Sequence, residues 1–390
     1  MKKVFSACLL TVAVFAYAQN PVTSLPFELH GDHIIIQVSV DGSESLDFIF
    51  DTGDGLSVID IDVAKELGLN LDHKQATKSA AGTITGALIK HNKVAINDLI
   101  MESNIKVYAT SLNHLEMSIG RNVDGIIGYD LLHHHVIEID YDQMMFNIYD
   151  FGKYPIKGNP VSFKLVNVIP TIEGSVTLNN GETINGTFYL NTGAGTTVDF
   201  NTPFANANGI IDKTGDHYWY MVKGIGNTES KHYEGRVANF SFKDQSVDNL
   251  PIGISQSMTG LQGDAKVSGI IGNKLLKQYN MIIDVKKGMV YMESNKNKGE
   301  EHAVNCSGLD VQLNEEQTKV LIHQVFEGTP GDDAGIQKDD VLISVNGSDA
   351  FEMGLIAVED ELKKDGETVT LVILSNGQEK KLTIDLKELL

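Results

Sequence analysis

Two stretches of this chain carry residues whose types and spacing could do chemistry. FIFDTGDGLSVID (48–60) and FYLNTGAGTTVDF (188–200) share an apolar strand, a polar-Thr-Gly turn and a hydroxyl residue six positions on. The first holds a carboxylate, Asp51, where the second holds the amide Asn191. Amide hydrolysis by water needs a base on the water and an acid on the carbonyl at the same moment. Two facing carboxylates sharing one proton supply both, because like charges push one pKa up and leave the other low. An Asn in one position can still donate a hydrogen bond from its NH2 group. It cannot pass a proton to a leaving nitrogen, so half of that chemistry is in question.

The elements that must position these loops are repeated. IIIQVSVDGSESLDFIFDTGDGLSV and IPTIEGSVTLNNGETINGTFYLNTGAGTTV each read as a strand, a turn, a second strand and the loop. VDGIIGYDLLHHHVIEIDYDQMMFNIYD answers VSGIIGNKLLKQYNMIIDVKKGMVYMES: Gly-Ile-Ile-Gly, a short helix with Leu-Leu, and two alternating strands around a turn. Asn191 follows Asp51 by 140 residues and Gly272 follows Gly128 by 144, so two lobes of similar size are expected, over 19–155 and 156–293. SNKNKGEEHA (294–303) is polar and aperiodic and reads as a linker. Residues 304–390 do not repeat the lobe; they read as short strands with an amphipathic helix, GLIAVEDELKKDG, stopped by Gly366.

At 390 residues with 42% apolar content, the chain suits two or three folded, water-soluble domains. Its formal charge of −21 excludes nucleic acid and anionic membrane as partners. A cationic peptide fits that surface, although solubility alone accounts for the charge. MKKVFSACLLTVAVFAYAQN begins with two lysines, runs through apolar residues and ends in Ala-Tyr-Ala, a signal peptide over 1–18 cleaved after Ala18. The alternative, a membrane anchor, is disfavoured because the apolar run falls short of the roughly 20 residues a span requires. Export to the periplasm or the medium follows. Cys8 leaves with that segment and Cys306 has no partner, so no disulfide forms, which suits an exported bacterial protein.

The paired D/N-T-G loops with their Ile-Ile-Gly-x-x-Leu-Leu segments resemble the retropepsin-like aspartic proteases, which include the two-lobed pepsins. The resemblance covers roughly 30 to 293 and implies a mainly β, bilobal retropepsin/pepsin-like fold with a peptide cleft between the lobes. It implies that Asp51 and Asn191 face each other as the catalytic pair. Thr52 and Thr192 would reach across to the opposite loop, Gly53 and Gly193 would permit close packing, and Ser57 and Thr197 would hydrogen-bond the active-site loop. Flaps are expected around Gly82 to Gly86 and Gly224 to Gly226. Asp54 stands where the family usually has Ala or Ser, on the cleft wall; a subsite-lining or solvated charge is preferred there over a displaced second carboxylate. EGTPGDDAGIQKDDVLISVNG resembles a PDZ domain of bacterial envelope proteases, a small α+β unit, departing at Asp339 where Gly is usual. Gly308, Leu309, Asp310 and Val311 loosely match its carboxylate-binding loop.

The resemblance implies an exported aspartic endopeptidase that binds a peptide or unfolded protein in its cleft and a protein C-terminus at the PDZ domain. The competing reading is a catalytically dead pseudoprotease that binds peptides with the same cleft. No cofactor and no metal are expected: His133, His134 and His135 are consecutive and cannot share one helix face. A chain with both lobes needs no partner copy, so a monomer is expected. Trp219, beside a Gly turn, is read as leaning toward the cleft rim.

Overall fold

The computed structural model describes residues 20–78, 83–90, 92–101, 105–224 and 228–390. The expected signal peptide over 1–18 and the expected flap residues Gly82 and Gly226 lie outside the described residues.

Each lobe is built around one crossing strand. In the first, Gly125–Ile127 runs parallel to Leu46–Phe50 and antiparallel to Ser57–Asp60, so it threads between the two strands that flank the Asp51 loop. In the second, Gly269–Gly272 runs parallel to Thr183–Asn191 and antiparallel to Val198–Phe200. The glycines at the ends of these segments are required by space. A Cβ on Gly128 would lie 1.9 Å from the carbonyl oxygen of Asp51, and one on Gly272 2.3 Å from that of Thr196. Phe48 and Phe50 enter the main core, while Ile49 between them joins a separate cluster with Ile35 and Val58. The end of the strand buried on both faces, Phe48 to Phe50, therefore reads as an unbroken apolar run.

A six-stranded sheet joins the lobes. Thr23–Pro26, Met145–Tyr149 and Val136–Asp140 come from the first lobe, and Tyr279–Asp284, Met289–Ser294 and Asn159–Ser162 from the second. The two halves meet antiparallel at Ile137↔Ile283, Glu138↔Ile282 and Ile139↔Met281, which places a pseudo-twofold axis through the junction.

The residues after Ser294 fold back on both lobes, with Gln278 and Lys274 of the second and Asp142 of the first as partners. Asn295 N–H donates to Gln278 O, Lys296 N–H to Asp142, and Lys274 Nζ to Ala303 O. The C-terminal unit has its own core, including Val320, Ile322, Val345, Val358, Leu371 and Ile373, and a sheet ordered Leu309–Leu313, Val320–Val325, Val341–Val345, Thr368–Ser375, Gln378–Asp385. Its helix spans Leu355–Leu362, shorter than the run to Gly366, and buries Leu355, Val358 and Leu362. Asp339 has φ +69°, a left-handed conformation that explains why Gly is favoured at that position and that Asp tolerates better than most residues.

Candidate active site

The two polar-Thr-Gly loops meet at the lobe junction, and four hydrogen bonds lock them. Thr52 N–H donates to Thr192 Oγ1 and Thr192 N–H to Thr52 Oγ1, each at 3.1 Å. The hydroxyls in turn donate across the junction, Thr52 Oγ1 to Leu190 O at 2.7 Å and Thr192 Oγ1 to Phe50 O at 2.9 Å. Both threonines are buried. Their placement follows from the crossing strands, which hold each loop at the end of a rigid strand.

Above this lock, each acidic or amide side chain lies over the opposite loop's glycine. A Cβ on Gly53 would be 2.3 Å from Nδ2 of Asn191, and one on Gly193 would be 2.4 Å from Oδ2 of Asp51. Glycine is therefore obligatory at both positions. Asp51 Oδ1 accepts from Gly53 N–H at 2.6 Å, and Asn191 Oδ1 accepts from the N–H groups of Gly193 at 2.8 Å and Ala194 at 3.1 Å. With its oxygen engaged by its own loop, Asn191 turns its NH2 toward the first lobe.

Burial raises the Asp51 carboxyl to a pKa of about 6, against the opposing pull of the Gly53 and Gly193 N–H groups. Asp54 is raised well above the usual carboxyl range, first by burial and then by the Asp51 charge. Its Oδ1 accepts from Leu56 N–H at 3.2 Å, and its Oδ2 is buried without a partner among the described residues. Of the two preferred expectations for Asp54, a subsite-lining or a solvated charge, burial removes only the solvated one: the group is a partly enclosed acid beside Asp51.

Ser57 and Thr197 support the loops differently from the expectation. Ser57 points from its strand toward the helix Tyr129–His134, and its hydroxyl donates to Asp130 Oδ2 at 2.8 Å, as does its N–H at 3.0 Å. Thr197 donates to Pro251 O. Neither hydroxyl bonds the active-site loop itself.

Both lobes raise a hairpin. The first pairs Lys74–Lys78 with Thr83–Ile89; Gly86 sits within it opposite Gln75, where a Cβ would be 2.2 Å from Ala109 O, so it seats the hairpin on its neighbouring strand. The second pairs His217–Gly224 with Thr228–Phe242, and Gly224, opposite Thr228, is the last pair before the turn. Trp219 is exposed on this hairpin with Lys231 Nζ 4.7 Å from its ring centroid.

Sequence reasoning missed His33, whose Nε2 would be 3.5 Å from a Cβ on Gly195 and whose Nδ1 is buried without a partner. Val168 reaches Gly55 in the same way from the other lobe. His33 opens the strand His33–Val40 and Val168 lies in the turn before Ile169–Thr177, both just ahead of the repeated segments that begin at Ile34 and Ile169. Among the described residues no group of three or more His, Cys, Asp or Glu side chains could hold a metal, and no helix is long and apolar enough to cross a membrane.

In the C-terminal unit Gly308 has φ +76° and no room for a Cβ, which would be 1.8 Å from Thr329 Oγ1. Leu309 and Val311 are buried, and Asp310 pairs with His323 at 2.8 Å. The N–H of Gly308 donates to Asn305 Oδ1 at 2.7 Å, and that of Leu309 to Ser307 Oγ at 3.0 Å.

Residues 36–131 match a family model described as aspartyl protease, and residues 298–374 match that of the PDZ domain. No curated protein matches the chain. Among solved structures, the aspartic proteinase from Irpex lacteus aligns with 71% of this chain and 98% of its own, at 10% identity and a TM-score of 0.44. The protein thus carries an aspartyl-protease-like domain matched over residues 36–131, whose crossing-strand unit is built a second time in the following lobe, and a C-terminal PDZ domain.

Proposed function

We propose that the chain is an exported aspartic-type endopeptidase whose cleft binds an extended peptide and hydrolyses it with water activated by Asp51. The observation that carries this reading is the raised Asp51 carboxyl, at about 6, set over the opposite loop by the Thr52–Thr192 lock. A carboxylate with that pKa is a stronger base than an ordinary aspartate and is ionised near neutral pH. Asn191 holds the substrate carbonyl or the water through its NH2 group and takes no proton. Protonation of the leaving nitrogen then falls to Asp51 itself, after it has received the proton of the attacking water. Losing a general acid typically forfeits roughly 10²–10⁴-fold in rate, so turnover is slow.

A second reading, a peptide-binding pseudoprotease, is favoured by Asn191 alone. The two are separated by incubating the purified protein and its Asp51→Asn variant with an unfolded protein. Cleavage by the first and none by the second supports the hydrolase; intact substrate in both, with binding retained, supports the pseudoprotease. The N-terminal signal sequence supports export, to the periplasm or beyond. Both lobes are present in one chain and share a sheet, which supports a monomer.

A further inference from the structure

A PDZ groove lies between a sheet-edge strand and a helix, and an extended peptide fills it by adding to that edge. Here the walls are Leu309–Leu313, at the end of its sheet and paired on one side only, and Leu355–Leu362. Elements of the protease lobes stand in that space. The first-lobe helix Asn113–Ile119 packs along the edge strand. Its capping Gly120 abuts Leu355 so closely that a Cβ would lie 2.6 Å from Leu355 Cβ, and Gln317 Nε2 donates to Glu116 at 3.0 Å.

The other end of the groove is roofed by the second lobe. A cavity of about 180 Å³ remains there, with Leu309, Val311 and Leu362 on the PDZ side and Tyr218 and Tyr220 of the second hairpin opposite. Phe326 stacks on Tyr218 with ring centroids 4.9 Å apart. The Gln324 carboxamide pairs with the hairpin strand as a neighbouring peptide unit would: Met221 N–H donates to its Oε1 at 2.9 Å, and its Nε2 donates to Trp219 O at 3.4 Å. The helix Asn113–Ile119 also touches this hairpin strand, so the PDZ domain sits astride the junction of the two lobes.

We infer that the PDZ groove is held shut by the protease lobes, and that a peptide C-terminus with an apolar last residue enters it by displacing the helix Asn113–Ile119 and the hairpin strand His217–Gly224. The apolar terminal residue follows from the Leu309, Val311 and Leu362 lining. Those displaced elements are walls of the lobe junction, so ligand at the PDZ domain opens the cleft, and by linkage an opened cleft raises affinity at the PDZ domain by the same factor. This holds whether or not the cleft hydrolyses its peptide.

The test uses the full chain, a Gln324→Ala/Phe326→Ala variant and a milder Gln317→Ala variant, each first checked for a wild-type circular dichroism spectrum. The probe is a pool of decapeptides ending in Val, Leu or Phe with free carboxylates. The double variant is expected to bind at least about tenfold tighter than wild type, with Gln317→Ala between them; tenfold corresponds to about 1.4 kcal/mol. Peptide added to wild type is expected to speed deuterium exchange in 113–119 and 217–224. Equal affinities with unchanged exchange in those segments overturn the inference. So does an absence of binding in all three proteins, which makes the PDZ domain a fixed strut. Neither readout depends on cleavage, so failure here is distinct from failure of the hydrolase reading.

Discussion

Thr52 and Thr192 hold each other's main chains: each N–H donates to the other's hydroxyl at 3.1 Å, and each hydroxyl donates onward to a carbonyl of the opposite lobe. The reciprocity places Asp51 and Asn191 over one another's glycines. It also makes the two residues one energetic unit.

Replacing either threonine with Ala leaves buried N–H and C=O groups unpaired, at a cost of roughly 1–3 kcal/mol per group. Each substitution unpairs one N–H and one C=O, so Thr52→Ala and Thr192→Ala are each expected to lower stability by roughly 2–6 kcal/mol, and the double variant by less than the sum. Thr→Ser at either position keeps the hydroxyl and recovers most of the loss. Urea denaturation of wild type and the five variants measures the losses and their coupling; wild-type stability in both single Ala variants would show that the lock is absent.

The Asp51 carboxyl is raised in the folded state, so the fold binds its proton more tightly than the unfolded chain does. Its contribution is therefore most favourable below pH 4 and is lost as pH rises from about 4 to about 6. Asp51→Asn removes this dependence. The stability of the variant relative to wild type is expected to rise across that window and to level off above it, read from chemical denaturation at successive pH values. A flat difference would contradict the burial of Asp51.

Asp54 gives a parallel expectation with a different consequence for rate. Its partnerless Oδ2 and raised pKa mark a carboxyl whose ionised form is costly in the fold. Asp54→Asn is expected to gain stability over wild type as pH rises above about 4. If Asp54 only shapes the cleft wall, cleavage by this variant stays within a few-fold of wild type. A loss comparable to that of Asp51→Asn would instead identify it as the second carboxylate.

Much of this arrangement was legible in the sequence because it is carried by local chemistry that repeats. The polar-Thr-Gly loops, the Gly-Ile-Ile-Gly crossings and the Leu-Leu helices each occur twice, and close backbone approach demands the glycines. The partners of Ser57 and Thr197 were not legible, because Asp130 and Pro251 reach them through tertiary packing that no spacing encodes. Burial of Asp54 was not legible for the same reason: tertiary packing decides whether a cleft-wall carboxyl is solvated or enclosed. The linker 294–303 is polar in sequence, yet its hydrogen bonds to Gln278 and Lys274 of the second lobe and Asp142 of the first tie it down. Its polar side chains pair as well, the Asn295 and Asn297 Nδ2 groups both donating to Lys277 O.

The most direct test of a retained aspartic-protease geometry is the rate at which Asn191→Asp cleaves an unfolded protein between pH 3 and pH 7. The amide oxygen already accepts from Gly193 and Ala194, so a carboxyl of nearly the same shape inherits those bonds and faces Asp51 across the glycines. Restoring a proton-sharing pair is expected to raise the rate by at least about 10²-fold over wild type, with a bell-shaped profile whose two apparent pKa values belong to the pair. Adding Asp51→Asn to that variant should abolish the gain. An Asn191→Asp protein that is folded and binds peptide but cleaves no faster than wild type would contradict the retained catalytic geometry.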